Sequence, residues 1–206
     1  DLKGRKKQVI RTAVNKANKD GVLFVEKDRP DPEVEGLTQT WIQTRRLEGK
    51  QLTILVRPLD GGFQEDVRHF YAYLGSRLIG AIQFDPLYRQ GSICGYVPNV
   101  SRFDPAFKQG IFYALMVHAM QKFRDENIEY VNLGLSPFVL DPSGEEFESE
   151  IVRLIFRTLY RYGNRLYSYQ GLDFTKQRFQ GEEVKTYYVH RYRLPVTLLA
   201  FLCMDL

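Results

Sequence analysis

The sequence predicts a mixed α/β fold in which a mostly antiparallel sheet is flanked by helices. Two observations lead to this fold class. Apolar residues recur at helical spacing near residue 10 and again between residues 107 and 123. Between these segments lie three β-rich runs separated by short turns, as in an antiparallel meander. We therefore expect one sheet with helices on both faces.

The first quarter of the chain predicts two helices and two strands. Residues 5–19 have the spacing of an amphipathic helix with a basic outer face, and Gly21 follows as a stop. A short strand is expected at 22–26. After a loop containing Pro30 and Pro32, apolar residues at helical spacing predict a second helix that ends near Gly49. A further strand is expected at 52–57.

The rest of the chain predicts the meander and three more helices. The meander strands are expected at 68–73, 78–84 and 92–97, with turns at Gly75-Ser76 and at 85–91. A long helix at 107–123 and a strand at 128–133 follow. The C-terminal third predicts a helix that carries several arginines, a further strand, and an apolar terminal helix at 194–206.

The composition bounds the class of protein. A chain of 206 residues that is 44% hydrophobic and 26% charged is typical of a globular protein, which excludes disordered and fibrous classes. We expect a single domain over residues 1–206 and, because the sequence opens at Asp1, a piece of something longer. Two cysteines exclude a disulfide framework, and three scattered histidines argue against a metal site. Its longest apolar stretch is too short for a membrane span.

The charge is divided into three blocks. Residues 1–19 carry a net charge of +6, residues 20–150 carry −7, and residues 151–193 carry +6. Two basic blocks around an acidic middle are typical of a protein that binds a polyanion, because attraction to phosphate depends on local charge. The alternative is that these charges only solvate helix faces.

One stretch has the layout of an acyl-transfer site. Gln109-Gly110 opens the long helix, and a helix N-terminus presents free backbone N–H groups to a phosphate or an oxyanion. Asn132, at the end of the following strand, is a candidate oxyanion donor. This layout resembles the acyl-carrier site of the N-acetyltransferase (GNAT) fold. The alternatives are an ordinary strand–loop–helix connection and a turn-forming asparagine.

Four short motifs, in order, resemble the C-terminal domain of phosphatidylglycerol lysyltransferases. The family patterns are roughly N-L-G-x-x-P-L, Y-N-F-x-G-L, K-x-K-F and R-Y-L. The corresponding segments here are Asn132-Leu133-Gly134-Leu135-Ser136-Pro137-Phe138, Tyr167-Ser168-Tyr169-Gln170-Gly171-Leu172, Lys176-Gln177-Arg178-Phe179 and Tyr187-Tyr188-Val189. The opening helix, residues 1–20, is similar to the segment that links the two acetyltransferase-like halves of that family.

The resemblance implies a GNAT-like fold and an aminoacyl-tRNA-dependent transferase that moves an amino acid onto a phospholipid hydroxyl. It implies charged tRNA as the co-substrate, with no other cofactor, and action at the cytoplasmic face of the membrane. An upstream GNAT-like domain and a membrane segment of the same protein are the further partners. We expect substrate contacts from Gln109, Gly110, Ser136, Tyr169 and Gln170.

The tRNA-binding residues are expected on the basic C-terminal segment. Four arginines recur at every fourth position and would form one stripe on a continuous helix, suited to backbone phosphates. Two more basic residues match the third motif, with Arg178 in place of its second lysine. The six residues are Arg153, Arg157, Arg161, Arg165, Lys176 and Arg178. A solvated helix face is the alternative for the stripe.

One departure from the family pattern concerns the catalytic carboxylate. Where the family reads roughly S-x-D-L-M-R before the long helix, this chain reads from Ser92 to Pro98, with Gly95 in the region where the pattern has its acidic residue. Arg102 is the candidate to replace the arginine of this pattern. Three aspartates are candidates for the carboxylate in sequence, with turn or cap roles as the alternative: Asp85, Asp104 and Asp173. The predicted catalytic residues are therefore Asn132, Arg102 and Asp173.

Two other functions stay open. An acyl-CoA-dependent N-acyltransferase would use acetyl-CoA at the turn before the long helix, with Gly110 at the phosphate. A catalytically inactive relative would serve as a binding domain, because Gly95 provides neither a general base nor a charge for the amine.

Overall fold

The structure is a computed structural model that describes residues 2–43, 64–107, 109–136, 139–140, 149–162 and 169–187. The chain forms two compact units, Asp1–Gly134 and Leu135–Leu206. Two predicted elements, the strand at 52–57 and the terminal helix at 194–206, lie outside the described residues. The expected single domain stays a prediction.

The first unit alternates helices with five strands. Its helices are a 3₁₀ turn at Arg5–Lys7, α1 (Gln8–Lys19), α2 (Glu33–Gln43) and α3 (Gln109–Asp125). Its strands are β1 (Val22–Lys27), β2 (Arg68–Leu74), β3 (Arg77–Arg89), β4 (Ser92–Phe103) and β5 (Tyr130–Val131). The predicted helices and meander strands are confirmed within the described residues, and α3 begins at Gln109 rather than at residue 107. The predicted end of the second helix near Gly49 lies outside them.

The five strands form one sheet in sequence order. Strands β1 to β4 are antiparallel neighbours, and β5 runs parallel to β4. Strand β5 is shorter than predicted, because only Tyr130 and Val131 pair with β4, opposite Gly95 and Tyr96. This mixed, mostly antiparallel sheet with flanking helices confirms the predicted fold class.

The prediction of a turn at 85–91 is wrong for residues 85–89, which belong to a strand. Strand β3 continues to Arg89, and Pro86 pairs opposite Tyr96 in the ladder. Asp-Pro is a local turn signal, but the long-range pairing with β4 overrides it. The actual turn is Gln90-Gly91, where both residues have positive φ, 52° and 81°, as a two-residue hairpin requires.

The two faces of the sheet are covered by different helices. On one face, Phe70, Phe84 and Phe123 of α3 form edge-to-face contacts at centroid distances of 5.1–5.5 Å. Successive strand residues point to opposite faces, so Tyr71 lies on the other side. There it packs with Val34 and Leu37 of α2 and with Ala81. The polar site described below lies on this α2 face.

Hydrogen bonds from the preceding loop fix the start of α2 above the sheet. The Asp31 backbone N–H donates to the Tyr71 hydroxyl at 2.9 Å, and the Glu33 N–H donates to Asp31 Oδ1 at 2.9 Å as an N-terminal cap. Lys27 forms an ion pair with Asp31, and its hydrogen bond lowers the Asp31 pKa although burial opposes the charge. Burial raises the pKa of Tyr71 to about 12. These contacts tie α2 to β2 at one edge of the polar site.

The described part of the second unit contains two helices, α4 (Glu150–Tyr162) and α5 (Tyr169–Gln177). Its described residues contain no strand, so the strand predicted in the C-terminal third is not seen there. None of the described helices in either unit is long and apolar enough to cross a membrane.

Candidate functional site

The α2 face of the sheet carries a cluster of polar side chains on three neighbouring strands. His69 on β2, Gln83 on β3 and Arg102 on β4 are 5%, 5% and 1% exposed. Asp85 and Asn99 extend the cluster and are half-buried. Burying polar groups costs free energy unless they are paired, so such a group is uncommon in a sheet that only has to fold. We take it as the candidate functional site.

A β-bulge turns Asn99 into this cluster. In the pairing of β3 with β4, Gln83 lies opposite Val100 and Phe84 lies opposite Pro98, so Asn99 is the extra residue. A bulge re-aims the side chain that it inserts. The Asn99 amide Nδ2 donates to Asp85 Oδ2 at 2.5 Å, which links the two strands through their side chains.

Within the described residues, the Gln83 amide is hydrogen-bonded through its nitrogen and not through its oxygen. Its Nε2 donates to Asp85 Oδ1 at 3.4 Å, a long hydrogen bond. Its Oε1 is buried and has no hydrogen-bond partner among the described residues. The reverse orientation of the amide would set its oxygen against the carboxylate, so the bond to Asp85 fixes the oxygen as the unpaired atom.

A small cavity of about 10 Å³ lies beside this amide. Its polar lining consists of His69, Tyr71, Gln83 and Arg102, and apolar side chains of α2 and the sheet complete it. This volume holds about one water-sized group. The cavity is therefore a polar socket inside the first unit.

Arg102, a predicted catalytic residue, lies in this socket. Its guanidinium stacks on the Trp41 ring of α2 at 4.4 Å from the centroid, and its NH1 group donates to the Ser101 carbonyl at 3.0 Å. Stacking on an aromatic ring holds a planar guanidinium in one orientation. The structure thus places a fixed positive charge at the cavity, while the catalytic role of Arg102 stays a prediction.

The structure explains why position 95 holds a glycine and has no room for an acidic side chain. A Cβ atom there would lie 2.7 Å from the Tyr130 carbonyl oxygen, closer than real Cβ atoms come to any atom. In the family pattern the acidic residue stands three positions before the arginine, which is the separation of Asn99 from Arg102. Asn99 is the residue of this chain at that spacing, and the carboxylate of Asp85 is hydrogen-bonded to it.

The other two aspartates have separate positions. Asp104 is a turn residue, since its Oδ1 accepts from the Ala106 N–H at 2.9 Å and its carboxylate pairs with Arg77. It organises the turn that leads into α3. Asp173 lies on α5, in the second unit. Sequence proximity alone could not separate Asp85 from these two.

Asn132 forms the turn that the sequence offered as its alternative role. Its Oδ1 accepts from the Gly134 N–H at 2.8 Å, and Gly134 has φ 78°. Asn132 is exposed, and its own N–H donates to the Tyr96 carbonyl at 2.9 Å. The structure places it at the end of β5 and explains it as a turn residue; its role as an oxyanion donor stays a prediction.

The N-terminus of α3 begins with Gln109 and Gly110, as the sequence predicts. The Gln109 side chain lies outside the described residues. A Cβ atom at Gly110 would meet nothing within 4 Å, so packing does not require a glycine there. The space beside Gly110 is open, and a role in phosphate binding stays a prediction.

In the second unit, α5 and α4 bring together residues that the sequence predicted for different roles. Asp173, which is 8% exposed, accepts from the Tyr160 hydroxyl at 3.2 Å and from Gln177 Nε2 at 3.0 Å. Gln170 Nε2 donates to the Tyr160 carbonyl at 3.0 Å. Within this unit the contacts of Asp173 and Gln170 link the two helices.

Lys176 lies on the same helix and has an unusual environment for a phosphate-binding lysine. Its ammonium donates to the Leu135 carbonyl at 2.6 Å. Burial lowers its pKa to about 8, although nearby Asp173 favours the charged form. Lys176 is thus less solvated than a surface contact to phosphate would be; tRNA binding by this residue stays a prediction.

The arginine stripe is only partly described. Arg153, Arg157 and Arg161 lie on α4, with Arg157 and Arg161 exposed. Helix α4 ends at Tyr162, so Arg165 lies outside the described residues, as does the side chain of Tyr169. The predicted helical spacing is confirmed over three arginines, and contact with phosphate stays a prediction.

The remaining predicted residues are placed without specific contacts to a site. Arg178 stacks on Phe174 of α5, 4.4 Å from the ring centroid. Ser136 is half-buried in the segment after β5. Among the described residues, no group of three or more His, Cys, Asp or Glu side chains is arranged to hold a metal ion.

Three features of the site were not predicted from the sequence: Gln83, His69 and the pairing of Asp85 with Asn99. One local signal was present, because Gln83 interrupts a run of apolar residues from Leu78 to Phe84 in a strand buried on both faces. A polar residue at such a position needs a partner or a function. The pairing itself depends on the bulge in β4, which has no sequence signal.

A comparison with protein families gives one match over most of the chain. The family described as "Phosphatidylglycerol lysyltransferase, C-terminal" matches residues 1–190. The matched range includes all four motifs and the opening helix on which the resemblance was predicted.

Two solved structures have the same fold. L-PGS from Bacillus licheniformis superposes with a TM-score of 0.69 at 17% identity, over 100% of this chain and 61% of that chain. The C-terminal domain (DUF2156) of a putative lysylphosphatidylglycerol synthetase from Agrobacterium fabrum gives 0.57 at 21% identity, over 88% of this chain and 54% of that chain. At these identities the likeness shows the fold alone.

A curated relative is longer than this chain. An uncharacterized protein of Corynebacterium glutamicum is 24% identical over 205 residues, which cover 93% of this chain and 24% of that protein. The chain therefore spans about a quarter of the length of the curated relative that it matches.

Proposed function

Because the chain belongs to the phosphatidylglycerol lysyltransferase C-terminal family, we propose that it transfers an amino acid from charged tRNA to a phospholipid hydroxyl. The observation that carries this proposal is the family match over residues 1–190. The buried polar cluster supports it, because a transferase needs fixed polar groups in a dry environment. The acceptor class is a phosphatidylglycerol-like lipid.

The chemistry is a transesterification without a further cofactor. The lipid hydroxyl oxygen attacks the carbonyl carbon of the aminoacyl ester, and the bond from that carbon to the tRNA ribose oxygen breaks. The hydroxyl proton ends on the ribose oxygen, so one ester replaces another. Negative charge develops on the carbonyl oxygen during the attack, and preorganised donors stabilise it. Arg102, buried and stacked on Trp41, is the candidate donor in the first unit.

The donor tRNA would be held by the basic C-terminal segment. Arg157 and Arg161 are exposed on α4 and offer guanidinium groups to backbone phosphates. Arg153, Lys176 and Arg178 are the further candidates among the described residues. Phosphate contacts position the RNA and carry no sequence information, so the amino acid has to be recognised elsewhere.

The proposal also covers the setting of the reaction. The lipid acceptor requires the site to act at a membrane surface, on the cytoplasmic side where charged tRNA is available. We propose that an upstream GNAT-like domain and a membrane segment of the same protein complete the enzyme, with residues 1–20 as the helix that links the two halves.

The test is transfer of labelled amino acids from a pool of charged tRNA into phosphatidylglycerol vesicles, with an RNase-treated control. We expect RNase-sensitive label in the lipid fraction, and omission of one charged tRNA at a time identifies the amino acid. Arg102→Ala is expected to lower the transfer rate on the order of 100-fold. Arg124→Ala, an exposed residue of α3 paired with Asp125, is the control and should transfer normally.

Three results would contradict the proposal. Label in lipid that survives RNase would exclude tRNA as the donor. No label in lipid, together with a rise in melting temperature on adding acetyl-CoA, would instead support the acyl-CoA-dependent N-acyltransferase. A chain that binds tRNA without transfer under any condition would be a binding domain.

A further inference from the structure

The polar socket on the α2 face offers one unused hydrogen-bond acceptor. Gln83 Oε1 is buried, lines the cavity and has no partner among the described residues. An unpaired buried carbonyl oxygen costs about 1–3 kcal/mol, so it is rarely kept without a ligand or a bound water. The missing partner has to be a hydrogen-bond donor.

The size of the socket limits what that donor can be. A cavity of about 10 Å³ admits one water-sized group and no side chain. A primary ammonium group has about the size of a water molecule and carries three donors. An ammonium at the end of a larger molecule would therefore fit, with the rest of that molecule outside the socket.

The socket combines an acceptor, which a neighbouring carboxylate holds in place, with a cationic donor. On β3, the Asp85 carboxylate holds the Gln83 amide and brings negative charge to that side. On β4, the Arg102 guanidinium lines the same cavity and provides donors instead. His69 also lines the cavity. A neutral imidazole offers one donor and one acceptor, and a charged imidazole offers two donors. In an aminoacyl ester the carbon that carries the α-ammonium group is bonded directly to the carbonyl carbon. The ammonium matches the acceptor, Gln83 Oε1, and the carbonyl oxygen matches the donor, Arg102.

We propose that Gln83 Oε1 accepts a hydrogen bond from the α-ammonium of the aminoacyl group, and that Asp85, held by Asn99, positions the Gln83 amide. This inference rests on the proposed function, since it names the part of the donor that the site recognises. It also accounts for the departure from the family pattern. The carboxylate is supplied by β3, and the amide that stands three residues before Arg102 holds it in place.

Binding of small donor analogues tests the inference without tRNA or lipid. Alaninamide carries the α-ammonium and the carbonyl group, and N-acetylalaninamide lacks the ammonium. We expect calorimetric titration of the wild-type protein to show at least tenfold tighter binding of alaninamide. Gln83→Leu should remove this selectivity, whereas Gln83→Glu should keep or increase it because the new carboxylate also accepts.

A matched control separates recognition from folding. Gln39→Leu makes the same change at an exposed residue of α2 whose amide bonds to Glu35, and it should keep the wild-type selectivity. Because Gln83→Leu removes an unpaired acceptor together with one long hydrogen bond to Asp85, we expect its melting temperature to stay close to that of the wild type. Loss of binding in a fully folded variant then reflects the missing oxygen.

The positioning role of Asp85 has its own readout. In the wild-type background, Asp85→Asn frees the Gln83 amide to turn over and should lower the selectivity for alaninamide. In the Gln83→Glu background the same change should not lower the selectivity, because a carboxylate presents an oxygen in either orientation and Asp85→Asn also removes the like charge beside it. A purely structural role of Asp85 would reduce binding equally in both backgrounds.

The outcomes separate this inference from the proposed function. Equal binding of the two amides by the wild-type protein, or unchanged selectivity in Gln83→Leu, would overturn the inference and leave the socket as a water site. Transfer of label to lipid in that case would leave the proposed function intact. Selective, Gln83-dependent binding without any transfer would support the ammonium site and count against the proposed reaction.

Discussion

At the scale of single residues, Gly95 and Gly110 show that a glycine can be required by packing or merely tolerated. A Cβ atom at Gly95 would come within 2.7 Å of the Tyr130 carbonyl oxygen, whereas at Gly110 it would meet nothing within 4 Å. The first glycine allows β5 to pair with β4. The second lies in the first turn of α3, where alanine has the higher helix propensity.

This difference predicts opposite effects of one substitution. Gly95→Ala should destabilise the protein by about 1–3 kcal/mol, because the added methyl group pushes the Tyr130 backbone away from β4. Gly110→Ala should stabilise it by about 0.5–1 kcal/mol. Urea unfolding of both variants is the measurement. A Gly95→Ala variant as stable as the wild type would show that β5 can move without cost.

Lys176 predicts a dependence of stability on pH. Its pKa is about 8 in the folded chain and about 10.5 when solvated, because burial disfavours the ammonium. Between these values the unfolded chain binds more protons than the folded chain, so this residue makes the free energy of unfolding rise with pH from 8 to 10.5. Lys176→Met should remove this part of the rise.

Urea unfolding at pH 7.5, 8.5 and 9.5 measures the effect. Lys19→Met changes an exposed lysine at the end of α1 and serves as the control. It should leave the pH dependence of the wild type unaltered. The same slope in Lys176→Met as in the wild type would assign the rise to other groups.

At the scale of secondary-structure elements, α4 presents both basic and apolar residues to solvent. The helix has no fully buried residue, and Ile151 and Leu154 are 56% and 63% exposed. Arg157 and Arg161 lie on the exposed side as well. The sequence places these residues on a helix, but only the structure shows which of them face solvent.

The exposed arginines of α4 predict how tRNA binding depends on salt. Each phosphate contact that is lost should lower the slope of log affinity against log salt concentration by about 0.7–0.9. Arg157→Gln and Arg161→Gln should therefore weaken binding and flatten this slope, as measured by filter binding at several salt concentrations. Arg124→Gln on α3 is the control with the same loss of charge. Equal slopes in all three variants would exclude α4 from the RNA contact.

At the scale of the whole molecule, charge is distributed unevenly along the chain. The two basic blocks fall at residues 1–19 and 151–193, one in each compact unit. The acidic middle of the sequence builds the sheet that carries the polar socket. The basic blocks and the buried polar cluster therefore lie in different parts of the sequence.

The sequence by itself determined the fold class, the family and most of the element types of the first unit. Helical spacing in α1 and α3 and alternating runs in β2 to β4 are local patterns, so they can be identified without knowing the pairing. The motifs around Asn132 and Lys176 are also local. The turn from Asn132 to Gly134 is local as well and was among the alternatives, whereas the bond of Lys176 to the Leu135 carbonyl depends on a neighbour in space and was not predictable.

Only the tertiary structure decided where the polar site lies. Gln83, Asp85 and Asn99 meet because β3 and β4 pair in one register and a bulge inserts Asn99. Strand register is set by long-range pairing, and a one-residue shift would turn these side chains to the other face. The burial of Arg102 beside Trp41 likewise requires α2 to pack on β4. Local sequence carries no signal for such contacts, because they depend on free energies of packing between distant segments.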